Sequence, residues 1–426
     1  MRLYIWALKL TSFCMKQLLF LLLLVGPALA QAQTVKNGAI VIGQVDSLRS
    51  TVLNEQRKVW VSMPASASFS TLAKQRYPVV YLLDGASHFA YTADIIQRLS
   101  AATSSVFPEM IVVGITNTQR TRDLTTSRPT SVEDMSAEEL KTAGGAENFT
   151  AFIEKELIPY IEAHYPASAH RTLIGHSFGG LLVMNTLVHH ATLFENYVAL
   201  DPSMWWDGGK LLQEVHEAFA QPRFQGRTLF VASANTTGLD SVLAAKDPSV
   251  DGQHTRAKWK LRQDLARNKS NGLRSAYRYY PTDTHSLVTV DATYDALRYI
   301  FQSYMLSPAE YSTIFADKPI EAAAKLVAHY QRVSARVGYP VLPPEPLVTR
   351  MGYNLLPKSG QAPNALALFQ LNLQNYPASP SAHAAMGYYY EAQKQPDLAI
   401  ASYTRSLQLK ETPALRKRLD QLQAKK

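Results

Sequence analysis

The pentapeptide GHSFG at residues 175–179 constrains the fold of this chain more than any other feature. An apolar run, RTLI at 171–174, precedes it, and a helix-like stretch, GLLVMNTL at 180–187, follows it. This order predicts a strand, a sharp turn and a helix, with the Ser177 hydroxyl lifted above the end of a sheet. A bare GxSxG also recurs by chance, so a glycine-rich turn of an unrelated α/β protein is the alternative.

Apolar runs alternate with helix-like segments between residues 36 and 306. Continuous apolar runs at 79–83 and 110–115 predict strands that are buried on both faces, whereas the apolar spacing over 149–165 predicts a helix. Strands alternating with helices favour a mostly parallel sheet covered on both sides, which is a three-layer α/β sandwich. Further strands are expected at 59–63, 173–174, 197–200, 228–231 and 275–280.

A serine hydroxyl becomes a good nucleophile only when a base takes its proton. In an α/β-hydrolase the nucleophile, the acid and the histidine follow one another in the chain. His285 follows the last predicted strand directly and precedes a predicted helix at 288–301, so we expect it to be the base. Asp240 is the first carboxylate after the strand at 228–232 and is the expected acid. Asp247, Asp251 and Asp283 are the alternatives, and a Ser–His pair without a strong acid is also feasible.

Stabilisation of a tetrahedral intermediate requires two backbone N–H donors. We expect one from Phe178, which follows the nucleophile, and the other from Ala86, which follows the strand at 79–83. Trp205 and Trp206 follow another strand end. Paired tryptophans are usually core residues, but at this edge of the sheet they are expected to line the substrate pocket.

The first 32 residues have the pattern of a secretory signal peptide. Lys16 precedes a short apolar run at 18–25, and small residues follow. The apolar run is too short to span a membrane, and Met15 is an alternative start of the chain. Because the single cysteine, Cys14, precedes the expected cleavage, the mature chain would contain neither a disulfide nor a cysteine metal site. A periplasmic or secreted location follows.

Lysine and arginine number 43 against 34 aspartate and glutamate residues, yet the basic residues are dispersed. This distribution favours an ordinary solubilising surface over nucleic-acid binding. Neither an HExxH motif nor a GxGxxG after a strand occurs, so we predict no metal and no cofactor.

The pattern becomes entirely helical from Pro308 onwards. We predict a helical linker at 307–346 and a tetratricopeptide-like region at 347–426, because Ala365, Phe369 and Leu373 recur in similar form 34 residues later. Two such repeats are too few to be stable alone, so this tail is expected to pack on the catalytic domain or on another copy of the chain. Docking of a protein partner is the alternative.

Six short motifs occur in order between about residues 45 and 301. They are STVLNEQR (50–57), YPVVYLLDG (77–85), VVGI (112–115) with Arg120, GHSFGG (175–180), PSMWW (202–206) and THS (284–286). Together they resemble the putative esterase (esterase D-like) family of α/β-hydrolases, which includes enterochelin-type siderophore esterases.

The resemblance implies a serine hydrolase with Ser177 as nucleophile, His285 as base and oxyanion donors at Ala86 and Phe178. Arg120 would contribute to substrate binding. Asp201 departs from the serine often found at its position. The expected function is hydrolysis of a carboxylic ester, such as a siderophore lactone, an acylated sugar or a short-chain ester, through an acyl-enzyme. An acyltransferase with the same residues and a non-catalytic scaffold are the alternatives.

Overall fold

The computed structural model of this chain describes residues 34–36, 39–68, 76–100, 107–133, 135–235, 241–267, 270–314 and 321–425. The expected signal peptide therefore lies outside the described residues. The chain divides into two units, 1–42 and 43–426. In the first unit, β1 (Thr34–Lys36) and β2 (Ala39–Val41) form an antiparallel hairpin. Among the described helices, none combines the length and the apolar character that crossing a bilayer requires.

A sheet of eight strands forms the centre of the second unit. The strands are β3 (Gln44–Ser50), β4 (Glu55–Ser62), β5 (Tyr77–Leu82), β6 (Ile111–Ile115), β7 (Ala167–His176), β8 (Asn196–Leu200), β9 (Thr228–Ala234) and β10 (Arg274–Tyr280). Their spatial order is β10-β9-β8-β7-β5-β6-β4-β3. The strands from β5 to β10 pair in parallel, and β3 and β4 form an antiparallel edge. The predicted mostly parallel sheet is confirmed.

Helices cover both faces of this sheet and continue to the end of the chain. They are α1 (Gly85–Ser100), α2 (Arg120–Leu124), α3 (Ala137–Thr142), α4 (Ala146–Phe152), α5 (Ile158–His164), α6 (Phe178–His189), α7 (Trp206–Phe219), α8 (Ser241–Lys246), α9 (Val250–Arg267), α10 (Val288–Ile300), α11 (Pro308–Ile314), α12 (Ala322–Val337), α13 (Glu345–Leu355), α14 (Ala362–Asn375), α15 (Pro380–Ala392), α16 (Pro396–Leu409) and α17 (Pro413–Ala424). The single helix expected at 149–165 is interrupted by a π-helical turn at 153–157, just before Pro159 in the first turn of α5. Proline has no N–H to donate, which favours such an irregularity.

Two apolar cores lie on opposite faces of the sheet, and β5 contributes to both. Val79 and Tyr81 point into one core, whereas Val80 and Leu82 point into the other. This alternation follows from the two-residue period of a strand, and it explains why the strand reads as one continuous apolar run. The second core does not end at the sheet, since it continues into the C-terminal helices.

The C-terminal helices pack against the part of the chain that contains the sheet, as one of the two sequence-based alternatives predicted. Phe301 and Tyr304 belong to the same buried cluster as Leu326 and Tyr330 of α12. Helix pairs within the tail repeat one close contact. A Cβ atom on Gly352 would lie 2.4 Å from the Phe369 ring, and one on Gly387 would lie 2.4 Å from the Tyr403 ring. The tetratricopeptide-like assignment and the boundaries at 36–306, 307–346 and 347–426 stay predictions.

Candidate active site

Ser177 occupies the sharp turn between β7 and α6. Its backbone has φ 59° and ψ −117°, a conformation that non-glycine residues rarely adopt. The glycines around it are required by close packing. A Cβ atom on Gly175 would lie 2.4 Å from the backbone of Gly179, and one on Gly180 would lie 2.9 Å from Cα of Pro202. The sequence motif therefore folds into the turn that it predicts.

Three neighbouring strands end in a residue of positive φ. Asp84 follows β5 with φ 52°, Ser177 follows β7 with φ 59°, and Asp201 follows β8 with φ 41°. Backbone strain of this kind clusters at functional sites, where the surrounding structure holds it in place. The carboxyl ends of these strands thus mark the candidate active site, at the edge where ligands of parallel sheets bind.

Asp201 and His285 form a short hydrogen bond at this edge. His285 Nδ1 donates to Asp201 Oδ2 over 2.6 Å; the Asp201 side chain is fully buried, and the His285 side chain is 31% exposed. Burial alone would raise the pKa of Asp201, but hydrogen bonds from His254 and His285 hold it well below its usual range. Asp201 is therefore an ionised partner that can fix the His285 tautomer.

The turn that carries Ser177 lies beside His285. The rings of His176 and His285 have centroids 4.5 Å apart, and His176 Nε2 donates to the carbonyl oxygen of His285 over 2.8 Å. Ser177 Oγ lies 3.2 Å from Ser203 Oγ, and the Ser203 N–H donates to the Ser177 carbonyl. Burial lowers the pKa of His176 to about 4, which keeps its ring neutral at ordinary pH.

The carboxylate on His285 is not the one that the sequence analysis chose. Asp240 lies outside the described residues, and within the described contacts none of the three alternatives bonds to His285; Asp247, for example, accepts from the Ser249 N–H. Asp201 satisfies the same chain order of serine, acid and histidine, but it follows β8, one strand earlier than expected. Its place at a strand end next to the nucleophile was the available signal.

Phe178 and Ala86 lie at the N-termini of α6 and α1, beside Ser177 and Asp84 respectively. The first N–H groups of a helix have no acceptor within that helix, so both can serve as donors to an oxyanion. A Cβ atom on Gly85 would lie 2.6 Å from the backbone of Gly114, so the chain can turn from β5 into α1 only with glycine here. The oxyanion roles of both residues stay predictions.

Arg120 contacts protein groups at the candidate site. Its Nε and Nη2 donate to the two carboxylate oxygens of Asp84 over 2.7 and 3.0 Å, and its guanidinium carbon lies 5.4 Å from the Phe178 ring centroid. Burial raises the pKa of Asp84, but the ion pair with Arg120 and the hydrogen bond from Asn117 oppose this, and the pKa lies below its usual value. These contacts favour a role in holding the loop that carries Asp84 and Ala86, instead of the direct substrate contact that was expected.

The two tryptophans differ in exposure. Trp206 is only 1% exposed, and its Nε1 donates to the carbonyl oxygen of Ser127 over 3.1 Å. It is a core residue, so the expectation that it lines the pocket is wrong. Trp205 is partly exposed, and its ring centroid lies 6.3 Å from that of Phe178. Trp205 can therefore still contact a bound substrate.

The donor atoms of Asp201, His254 and His285 all lie within 4.8 Å of one another, a spacing that a metal ion could use. However, the ammonium of Lys258 lies 3.0 Å from Asp201 Oδ1 and already supplies positive charge there. Sequence reasoning missed both His254 and Lys258, because neither directly follows a predicted strand. The arrangement suits proton transfer through His285.

A family model described as "Putative esterase" matches residues 50–286, which is more than half of the chain. The chain belongs to the putative esterase family. The resemblance inferred from the six motifs is thus confirmed.

Two curated proteins of similar sequence are named as esterases. The ferri-bacillibactin esterase BesA of Bacillus subtilis is 36% identical over 149 residues, which cover 32% of this chain and 52% of that protein. The siderophore triacetylfusarinine C esterase of Aspergillus fumigatus is 28% identical, over 39% of this chain and 57% of that protein. This chain therefore spans about half the length of the curated relatives that it matches.

Among solved structures, an IroE-like serine hydrolase from Shewanella oneidensis is similar to this chain with a TM-score of 0.66 and 29% identity. The match covers 78% of this chain and 99% of that one. The matched part of this chain is longer than the segment 36–306, so it includes residues outside the predicted esterase domain.

Proposed function

We propose that this protein is a serine carboxylic-ester hydrolase in which Ser177 is the nucleophile, His285 the general base and Asp201 the acid. The observation that carries the proposal is the 2.6 Å hydrogen bond between buried Asp201 and His285, beside the strained turn of Ser177. Membership of the putative esterase family gives further support.

The reaction follows from the atoms available. Because Nδ1 of His285 is engaged by Asp201, its Nε2 is the atom that takes the proton from Ser177 Oγ as this oxygen attacks the ester carbon. The N–H groups of Phe178 and Ala86 stabilise the resulting oxyanion. The imidazolium then gives its proton to the departing alkoxide and leaves an acyl-enzyme. Water, deprotonated by the same imidazole, releases the acid and restores the serine.

The proposed substrates are siderophore esters, because the curated relatives are named as esterases of ferri-bacillibactin and triacetylfusarinine C. Partly exposed Trp205 and Phe178 offer aromatic surface beside the nucleophile, which suits the aryl or acyl part of such an ester. The signal-like N-terminus supports a periplasmic or secreted location, where a siderophore would be met. A tetratricopeptide-like tail would add a surface for a protein partner or for self-association.

Two substitutions test the proposal. Ser177→Ala should abolish both turnover of p-nitrophenyl butyrate and labelling by a fluorophosphonate probe. Asp201→Asn should lower kcat by about 10⁴-fold, because the imidazole loses its preferred tautomer. Asp207→Asn is the matched control, since Asp207 has a positive φ like Asp201 and lies only six residues later, at the start of α7. Turnover retained by Ser177→Ala would reject the assignment, and a catecholate trilactone assayed beside simple esters would test the substrate class.

A further inference from the structure

Two residues of α9 reach the back of the candidate acid. His254 and Lys258 are one helical turn apart, which places them on the same face of the helix. Both side chains are only 4% exposed, and both contact Asp201. Lysine is rarely buried unless it is paired, so its presence behind a catalytic carboxylate calls for an explanation.

We propose that Lys258 is a positioning residue of the esterase site: its ammonium fixes the Asp201 carboxylate and offsets part of its charge, so that α9 controls how readily His285 accepts a proton. The inference rests on the proposed function and deepens it, because it assigns a role to a residue that acts through Asp201.

Hydrogen bonds to both carboxylate oxygens hold Asp201. Oδ2 accepts from His285 Nδ1 over 2.6 Å and from His254 Nε2 over 3.2 Å. Oδ1 accepts from Lys258 Nζ over 3.0 Å and from the Ala234 N–H over 2.9 Å. Lys258 also donates to the Ala234 carbonyl over 2.9 Å, which anchors the ammonium to β9. Since donors lie on both sides, the carboxylate cannot rotate away from His285 without breaking bonds.

His254 supplies a neutral donor, so the positive charge in this cluster comes from Lys258. Burial lowers the pKa of His254, although the neighbouring Asp201 opposes the shift. The Nδ1 atom of His254 is buried without a hydrogen-bond partner. A second proton on this ring would therefore create a buried N–H without an acceptor, which is costly. The neutral ring with its proton on Nε2 fits the contact with Asp201.

The positive charge of Lys258 beside Asp201 disfavours a second positive charge on the other side of this carboxylate, at the His285 ring. Among the described residues, the titratable groups in contact with His285 include Asp201, His176 and His254, and His176 in turn contacts His88. Asp251, on the same helix, acts on Lys258 through its charge. Removing the Lys258 charge leaves the Asp201 charge less compensated, so the imidazolium becomes more stable. The base is then neutral only at higher pH.

The decisive experiment is the pH profile of kcat/KM for p-nitrophenyl butyrate in Lys258→Met. We expect the acidic limb to move to higher pH by about one unit, with a smaller loss on the plateau. Lys260→Met, on the exposed side of the same helix, is the matched control and should leave the limb in place. Lys258→Arg keeps the charge and should restore the limb. An acidic limb that does not move in Lys258→Met overturns the proposal.

Should Lys258→Met not fold, the wild-type protein provides a second test. Imidazole ¹⁵N NMR between pH 5 and pH 9 should show His254 neutral throughout. A His254 ring that becomes charged across the acidic limb would overturn the assignment of the charge to Lys258. Ser177→Ala distinguishes failure of the positioning role from failure of the proposed function. If Ser177→Ala loses turnover while the acidic limb of Lys258→Met does not move, only the positioning role fails. If Ser177→Ala retains turnover, the proposed function fails and the role of Lys258 fails with it.

Discussion

Arg120 joins two loops of the candidate site through a single side chain. It forms a bidentate ion pair with Asp84, and its Nη2 also lies 3.4 Å from the carbonyl oxygen of His176. Asp84 precedes the turn into α1, and His176 precedes the nucleophile. The guanidinium thereby fixes the distance between the two loops that would supply the oxyanion donors.

Arg120→Lys tests whether this residue positions the loop or binds the substrate. An ammonium cannot form the planar two-point contact, so the backbone at Ala86 should loosen. We expect kcat for p-nitrophenyl butyrate to fall by about tenfold with little change in KM, because the oxyanion is contacted only in the transition state. Arg128→Lys, whose Nε donates to the Ala143 carbonyl, is the control. A raised KM with unchanged kcat would instead restore the substrate contact expected from the sequence.

Strand β7 carries a histidine near each end, and both are held neutral by burial. His170 is 7% exposed, and burial lowers its pKa to about 4 from the usual 6.5. In the unfolded chain this ring takes up a proton below pH 6.5, whereas in the folded protein it does so only near pH 4. The folded state should therefore lose stability as the pH falls through this window.

The loss attributable to His170 is measurable by urea denaturation at pH 7.5 and pH 5. At pH 5 the unfolded ring is protonated, so the difference in proton binding costs the folded state about 2 kcal/mol. His170→Gln removes the titrating group, and its decrease in unfolding free energy between the two pH values should be smaller by about this amount. The surface carboxylates titrate alike in both proteins, so equal decreases would refute the account.

At the level of elements, the sequence was most informative where a strand is buried on both faces. Runs such as 79–83 and 110–115 are apolar on both faces because both faces are buried, so they were recognisable as strands of a parallel sheet. The elbow at Ser177 was predictable for a different reason, since its glycines are dictated by backbone contacts. His285 was expected to be the base from its place after β10.

The proposed acid could not be predicted in the same way. Asp201 and Asp240 both satisfy the chain order, and only tertiary packing decides which strand end faces His285. The roles of His254 and Lys258 depend on the packing of α9 beside Asp201 and the end of β9, which no local pattern encodes. Trp206 was misplaced because a strand end has a buried and an exposed side, and the sequence does not reveal which side a given ring occupies.

For the whole molecule, the catalytic unit and the tail share one apolar core. Phe301 and Tyr304 at the end of the catalytic unit pack with Leu326 and Tyr330 of α12, all of them 7% exposed or less. Each such side chain contributes roughly 1.5–3 kcal/mol when it is buried. The tail is therefore part of what stabilises the catalytic unit.

Two truncations separate this contribution from the mere presence of extra helices. Ending the chain at residue 306 exposes the apolar surface beneath α12, so we expect insoluble protein or a Tm lower by more than about 10 °C. Ending it at residue 410 removes only α17, in which Leu419 is the buried residue, and should change Tm by a few degrees at most. A 306-residue protein with unchanged Tm would contradict the shared core.

The hydrogen bond from His176 to the carbonyl oxygen of His285 joins strand β7, which leads to Ser177, to the loop that carries His285. A displacement of β7 would therefore move Ser177 and His285 together, so the distance between them is maintained when the sheet fluctuates. Replacing His176 with an aliphatic residue would remove this hydrogen bond and leave the position of His285 less restrained, even though all the proposed catalytic residues are still present.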